Sequence, residues 1–144
     1  MFSKACTYSI RAMMFIVTRT SDGSRVGIKD IAQHTGTPEP FVAKILQELS
    51  KRGIVSSVKG RNGGFYVDPE APPTPLLDIV LAIDGNAFFV SCGLGIKNCS
   101  AQRPCPIHDE YKAIRDEIRS MLQRNTIQDL AAGLVTGKTF LLKN

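Results

Sequence analysis

Cys92, Cys99 and Cys105 stand as C-x6-C-x5-C, and His108 follows in the run Cys105-Pro106-Ile107-His108. Thiolates bind soft or borderline metals, and imidazole completes such ligand sets. Four ligands from one loop would hold zinc tetrahedrally, or a [2Fe–2S] cluster in which cysteines and a histidine share the two irons. The intervals are longer than the C-x2-C knuckles of structural zinc sites, which leans the assignment towards a cluster. Lys97 and Arg103 lie beside the thiols in sequence and are expected to favour thiolate over thiol. Three alternatives stay open: a thiol redox switch with no metal, a zinc site, and cysteines together by chance. His108 is either a ligand or only the first-turn polar residue of the following helix. The remaining cysteine, Cys6, sits among helix-forming residues and reads as a small buried hydrophobe rather than a further ligand.

These residues must be positioned by flanking elements. Gly93, Gly95, Pro104 and Pro106 make residues 91–105 a loop. Before it, Thr74 and Pro75 open a helix carrying Leu76, Leu77, Val80 and Ile83 as far as Gly85. After it, Ile107, Tyr111, Ile114, Ile118 and Met121 step by 4, 3, 4 and 3 residues, a heptad-like seam on one long helix. That seam faces either a second chain or the protein's own core. Thr126 and Asp129 form the capping-box pattern of a short last helix. Residues 68–73, with three prolines, are the best boundary candidate.

The first half predicts a helix over 6–20, a second around Ile28, Ile31 and Ala32 that stops at Gly36, and a third with the apolar stripe Phe41, Val42, Ile45, Leu46 and Leu49. Pro38 and Pro40 fall where a first helical turn tolerates missing N–H donors. Strands over 54–58 and 65–67 flank the glycine-rich turn 60–64. The expected fold is mainly α with a small β-hairpin: a winged helix-turn-helix unit over 1–68, a connector and fourth helix over 69–90, the cysteine loop over 91–105, and a long helix with a C-terminal helix over 106–144.

The net charge is +5, with ten Lys/Arg against five Asp/Glu in residues 1–68 and eight against eight in residues 69–144. A polyanion partner for the first half follows from that asymmetry. In a helix-turn-helix the second helix of the motif enters the major groove of double-stranded DNA. Lys44, Gln47, Lys51 and Arg52 lie off the apolar stripe of the third helix, and Lys59, Arg61 and Asn62 form the hairpin tip. Arg61 is the candidate minor-groove cation, with Lys44, Lys51, Arg52 and Lys59 as phosphate contacts. Pro40 and Ala43 occupy base-facing positions, as shape or thymine-methyl contacts or as packing. Gln47 is either a base reader or an ordinary solvated side chain. No phosphate-binding loop, dinucleotide fingerprint or H-E-x-x-H motif is present, so nothing argues for an enzyme. No apolar run long enough for a membrane span is present, and a cytoplasmic, reducing setting is expected.

With Tyr8-Ser9-Ile10-Arg11-Ala12 at one end, Gly36, Leu49, Gly53, Val55-Ser56-Ser57-Val58, Gly60 and Gly63-Gly64 in the middle, and three loop cysteines in order, the chain resembles the IscR/NsrR-type family of winged helix-turn-helix transcription regulators. The resemblance covers nearly the whole chain. It implies a homodimer with crossed long dimerisation helices, an imperfect palindromic operator, and repression or activation set by the state of an iron–sulfur cluster that senses iron–sulfur status, redox or nitric oxide. Repression is the expected direction. Two features separate this chain from named members of the family. The Cys92–Cys99 interval is slightly longer, and Thr7 stands where the nitric oxide-sensing branch has a ligating carboxylate. His108 matches the histidine ligand of the other branch, so the resemblance implies [2Fe–2S] over [4Fe–4S]. A metal-free thiol regulator and a zinc-stabilised protein-binding adaptor on the same scaffold are the alternatives.

Overall fold

The computed structural model describes residues 2–141. Helix α1 (Lys4–Arg19) starts at Ser3, whose hydroxyl accepts from the Cys6 N–H at 3.0 Å and satisfies one of the free donors of the first turn. Cys6, Ala12, Met13, Met14 and Ile16 recur at helical spacing and are buried. At the C-terminal end the Thr20 hydroxyl donates to the Ile16 carbonyl at 2.7 Å and accepts from the Val67 N–H at 3.3 Å. One buried side chain thereby ties α1 to the end of the hairpin.

Helix α2 (Ile28–Thr35) ends at Gly36, which takes the left-handed conformation (φ 66) and turns the chain towards α3 (Glu39–Lys51). Pro38 and Pro40 occupy the cap and first turn of α3, where the pyrrolidine ring costs no hydrogen bond. Strands β1 (Ser56–Val58) and β2 (Gly64–Tyr66) pair antiparallel with Ser57 opposite Phe65. Strand β1 is shorter than the one expected over 54–58, and β2 keeps its expected three residues but starts one residue earlier. The segment between α1 and α2 adds a third edge: Val26 and Phe65 exchange both backbone hydrogen bonds, at 3.0 and 2.8 Å. That non-local bridge explains Gly64, and the hairpin's own backbone explains Gly63. A Cβ on Gly63 would lie 2.1 Å from the Val58 carbonyl oxygen, and one on Gly64 (φ +148) would lie 2.7 Å from the Val26 carbonyl oxygen.

Helix α4 (Leu76–Ile83) follows the proline-rich connector, with Pro75 rather than Thr74 in the cap position. A four-residue helix α5 (Ala87–Val90), not foreseen from the sequence, leads into the cysteine loop. Helix α6 (His108–Arg124) is the long helix, and α7 (Ile127–Val135) is capped by Thr126, whose hydroxyl accepts from the Asp129 N–H at 3.1 Å. The start of α4 pairs with the α6–α7 turn, since Leu76 N–H donates to Asn125 and Ile127 N–H to Thr74, both at 2.9 Å. Helix α1 packs against α2, α3, β2, α4 and α7. Met13, Ile16, Ile31, Leu46, Leu49 and Ile79 are fully buried around it. Each such side chain contributes about 1.5–3 kcal/mol relative to exposure.

Helix α6 packs on α4 and α5 and, through His108, Tyr111 and Arg115, on the cysteine loop; of its 17 residues only Arg115 and Leu122 are buried. The heptad-like seam is therefore divided within the protomer. Ile118 and Met121 pack partly into the protein's own core, whereas Ile107, which precedes α6 as its cap residue, and Ile114 are exposed. Among the described residues, no helix is long and apolar enough to cross a membrane.

Candidate functional site

The cysteine loop is built from tight turns. The Gly95 N–H donates to the Cys92 carbonyl at 3.0 Å, the Cys99 N–H to Ile96 at 3.3 Å, and the His108 N–H to Cys105 at 3.0 Å. Ser100 and Arg103 exchange backbone hydrogen bonds at 3.2 and 3.1 Å, reversing the chain between Cys99 and Cys105. These reversals bring the Sγ atoms of Cys92, Cys99 and Cys105 within 4.8 Å of one another, all half-buried. Cys92 Sγ lies 3.6 Å from Cys105 Sγ, and Cys99 Sγ lies 3.2 Å from His108 Nδ1. His108 opens α6, so the long helix delivers one nitrogen donor to the edge of the sulfur group.

The three thiols are not equivalent. Backbone N–H groups of Ile96 and then Leu94 point at Cys92 and bring its pKa down to about 7. The Leu94 contact is a 3.4 Å hydrogen bond. Desolvation raises Cys105 above the ordinary thiol value, and its sulfur neighbours add to the rise. The expectation that Lys97 and Arg103 would supply thiolate character is thus corrected. At Cys92 the main-chain amides come first, and at Cys105 the shift runs the other way. Cys6 lies outside this group, fully buried, and burial followed by the nearby Asp84 pushes its thiol up to about 12. It behaves as the small hydrophobe its surroundings suggested.

Three side chains of α6 hold the loop's entrance. The Arg115 guanidinium donates through Nη1 to the Ser91 carbonyl and stands 5.3 Å over the Tyr111 ring. Tyr111 covers Gly93 so closely that a Cβ there would meet the ring at 3.0 Å. Arg119 reaches the Asn86 side-chain oxygen at 3.4 Å and lies 5.3 Å over the Phe89 ring. Sequence periodicity missed Arg115 and Arg119 because they lie off the apolar repeat. For Arg115 the faint signal available was Tyr111 one turn earlier on the same helix; for Arg119 there was none, since its ring partner Phe89 lies on α5.

The second cluster of candidates lies on α3 and the hairpin. Pro40, Ala43, Lys44, Gln47, Lys51, Arg52, Lys59, Arg61 and Asn62 are all exposed. Arg52 is engaged by Glu48 one turn back, at 3.5 Å, which leaves it less free for another anion than Lys44 or Lys51. Arg25, not among the sequence candidates, approaches the Asn62 carbonyl at 3.4 Å and stands 5.6 Å over the Tyr66 ring. It adds a cation beside the tip, and the Val26–Phe65 bridge is what brings it there.

The profile of the Rrf2 family, described as an iron-dependent transcriptional regulator, matches residues 2–133. The chain belongs to the Rrf2 family. This Rrf2 protein is 33% identical over 132 residues to an HTH-type transcriptional regulator of Aquifex aeolicus, covering 90% of each chain. It is 24% identical over 123 residues to the HTH-type transcriptional regulator IscR of Photorhabdus laumondii, covering 85% of this chain and 74% of that one. Two solved structures share its fold. CymR, the global cysteine regulator of B. subtilis, superposes with a TM-score of 0.75 at 21% identity, covering 92% of this chain and 96% of that one. T. potens IscR superposes with a TM-score of 0.72 at 20% identity, covering 98% and 93%. The Rrf2 protein is therefore a winged-helix DNA-binding regulator of transcription, not an enzyme.

Proposed function

We propose that this Rrf2 regulator is a repressor whose grip on an operator is set by an iron–sulfur cluster held on Cys92, Cys99 and Cys105, with His108 as fourth ligand. The observation behind this reading is the convergence of three sulfurs within 4.8 Å, with the His108 nitrogen 3.2 Å from Cys99 Sγ. The donor set fits the group: three soft ligands and one imidazole, half-buried and joined by short turns. Support also comes from the family's description as iron-dependent and from relatives named IscR. When bound, such a cluster supplies a centre responsive to iron–sulfur supply, redox or nitric oxide. The imidazole favours [2Fe–2S] over [4Fe–4S]. So does Thr7, whose hydroxyl is already turned to the Ser3 carbonyl at 3.1 Å.

The chain's own residues divide the work. Cys92 is poised near neutrality and gives up its proton readily, whereas Cys105 must lose one against desolvation. Ligation would hold the loop on the face of α6 that carries His108, Tyr111 and Arg115. The uncovered apolar side chains Ile107, at the cap of that helix, and Ile114, on it, support its use as a homodimer contact, with Tyr111, Ile118 and Met121 continuing the same seam into the protomer. Each subunit would set α3 in a major groove through Pro40, Ala43, Lys44, Gln47 and Lys51. The wing would put Arg61 in the adjacent minor groove, with Lys59, Asn62 and Arg52 beside it. Two-fold symmetry then calls for an imperfect palindrome with half-sites about one helical turn apart.

The test is a visible absorption spectrum with iron and sulfide assays on protein purified without oxygen, followed by operator titrations of loaded and stripped protein at two salt concentrations. A brown protein with iron and sulfide in cluster ratio, whose affinity differs between the two forms and falls steeply with salt, is expected. A colourless protein that resists reconstitution overturns the cluster assignment. A second reading has its own observation: Cys92 and Cys105 stand 3.6 Å apart with Cys92 held near 7, which suits a metal-free thiol switch. Zinc at one equivalent with no salt-sensitive DNA affinity would point instead to a protein-binding adaptor.

A further inference from the structure

Arg115 is the only buried charged side chain among the described residues, at 8% exposure. A buried guanidinium is costly unless it is paired. Here no carboxylate forms an ion pair with it among the described residues, and its Nε has no hydrogen-bond partner. Among the described residues its hydrogen bond goes to the Ser91 carbonyl, the last group before Cys92. Among the described residues it stacks over Tyr111, the ring packed on Gly93, the first residue after Cys92. Both chain neighbours of the first loop cysteine are thus held by adjacent turns of α6. The other cysteine contact with α6 is made through His108, at the helix start, to Cys99.

We infer that Arg115 is a positioning residue that pins the Cys92 side of the loop to α6 and passes a displacement of that side to the long helix. The physical reason lies in the groups involved. A planar guanidinium can donate to a carbonyl while stacking over a ring, so a single side chain ties the loop backbone to the helix surface. An apolar residue of similar volume would fill the space without making that tie. The effect on DNA binding rests on the regulator proposed above, but the pinning itself does not, and it is measurable on metal-free protein.

The experiment measures alkylation of each cysteine in reduced, metal-free protein by mass spectrometry, for the wild type, Arg115→Met and Arg115→Lys. Arg115→Met is expected to speed modification of Cys92 by about tenfold, the factor that one charge-assisted hydrogen bond is worth, and to leave Cys99 and Cys6 near wild type. Arg115→Lys keeps a donor without the planar fork and is expected to fall between the two. Equal acceleration of Cys92 and Cys99, or none at Cys92, overturns the inference. If Arg115→Met does not fold, as judged by circular dichroism, Arg115→Lys decides alone: a selective rise at Cys92 supports the pin, and an unselective or absent one overturns it. Because no metal is present, these outcomes do not depend on whether a cluster binds.

Discussion

At the scale of single residues, the cysteines separate by environment rather than by type. Cys92 has its pKa brought down to about 7 by two main-chain N–H groups, Cys105 has its raised by desolvation, and Cys6 is buried and pushed up to about 12. In metal-free protein at pH 8, Cys92 is therefore mostly thiolate while Cys105 and Cys6 remain thiols. Its alkylation rate should rise through pH 7 and level off before pH 9, and the other two should need higher pH. A single apparent pKa near 9 for all three, from pH-dependent alkylation, would contradict this assignment. Cys99 joins the sulfur group to His108, so Cys99→Ala is expected to abolish visible absorbance after reconstitution. Absorbance retained at wild-type intensity would remove Cys99 from the ligand set. The cysteine spacing was legible from the sequence alone. The inequality of the thiols was not, because it depends on where two amides point and how much water reaches each sulfur.

At the scale of elements, the wing separates fold from binding. Gly63 sits where any Cβ would collide with the Val58 carbonyl oxygen at 2.1 Å, so Gly63→Ala must open the hairpin. It is expected to cost more than about 1 kcal/mol of stability and to weaken operator binding as a consequence. Arg61→Ala, at an exposed tip, should leave thermal stability within about 0.5 kcal/mol of wild type. Its operator affinity should fall by about 1–3 kcal/mol, with relaxed specificity at the contacted position. Paired denaturation and DNA titrations check both variants. If Arg61→Ala binds as wild type, the wing does not enter the groove. Turn chemistry made the hairpin readable from Gly60 to Gly64. The third edge at Val26 and the cation at Arg25 were not readable, because their partners, Phe65 and Asn62, are nearly forty residues away in sequence.

At the scale of the molecule, α6 has two kinds of apolar residue on one repeat. Leu122 is 1% exposed and belongs to the protomer core, so Leu122→Ala should cost about 2–5 kcal/mol of folding stability. Ile114 is 58% exposed and lies outside the hydrophobic core cluster. Ile114→Glu is therefore expected to leave the protomer folded while weakening self-association, read by sedimentation velocity together with circular dichroism. A dimer as tight as wild type would move the subunit contact off this part of α6. A heptad-like step cannot by itself separate these two roles, since both need an apolar side chain at the same helical interval.

The sequence by itself determined the local order of this protein. Helical periodicity, the Gly36 turn, the prolines at the start of α3, the Thr126 cap and the clustered cysteines each act over a few residues, where propensity and hydrogen bonding are local. It also carried the charge asymmetry, with all the excess positive charge in residues 1–68. The tertiary structure decided which of those residues meet. It closed the sulfurs to within 4.8 Å, set His108 beside Cys99, divided the α6 seam between core and solvent, and buried Arg115 against Ser91, next to Cys92. Each of these outcomes depends on the direction of a side chain after distant elements have packed, and a one-dimensional pattern does not encode that direction.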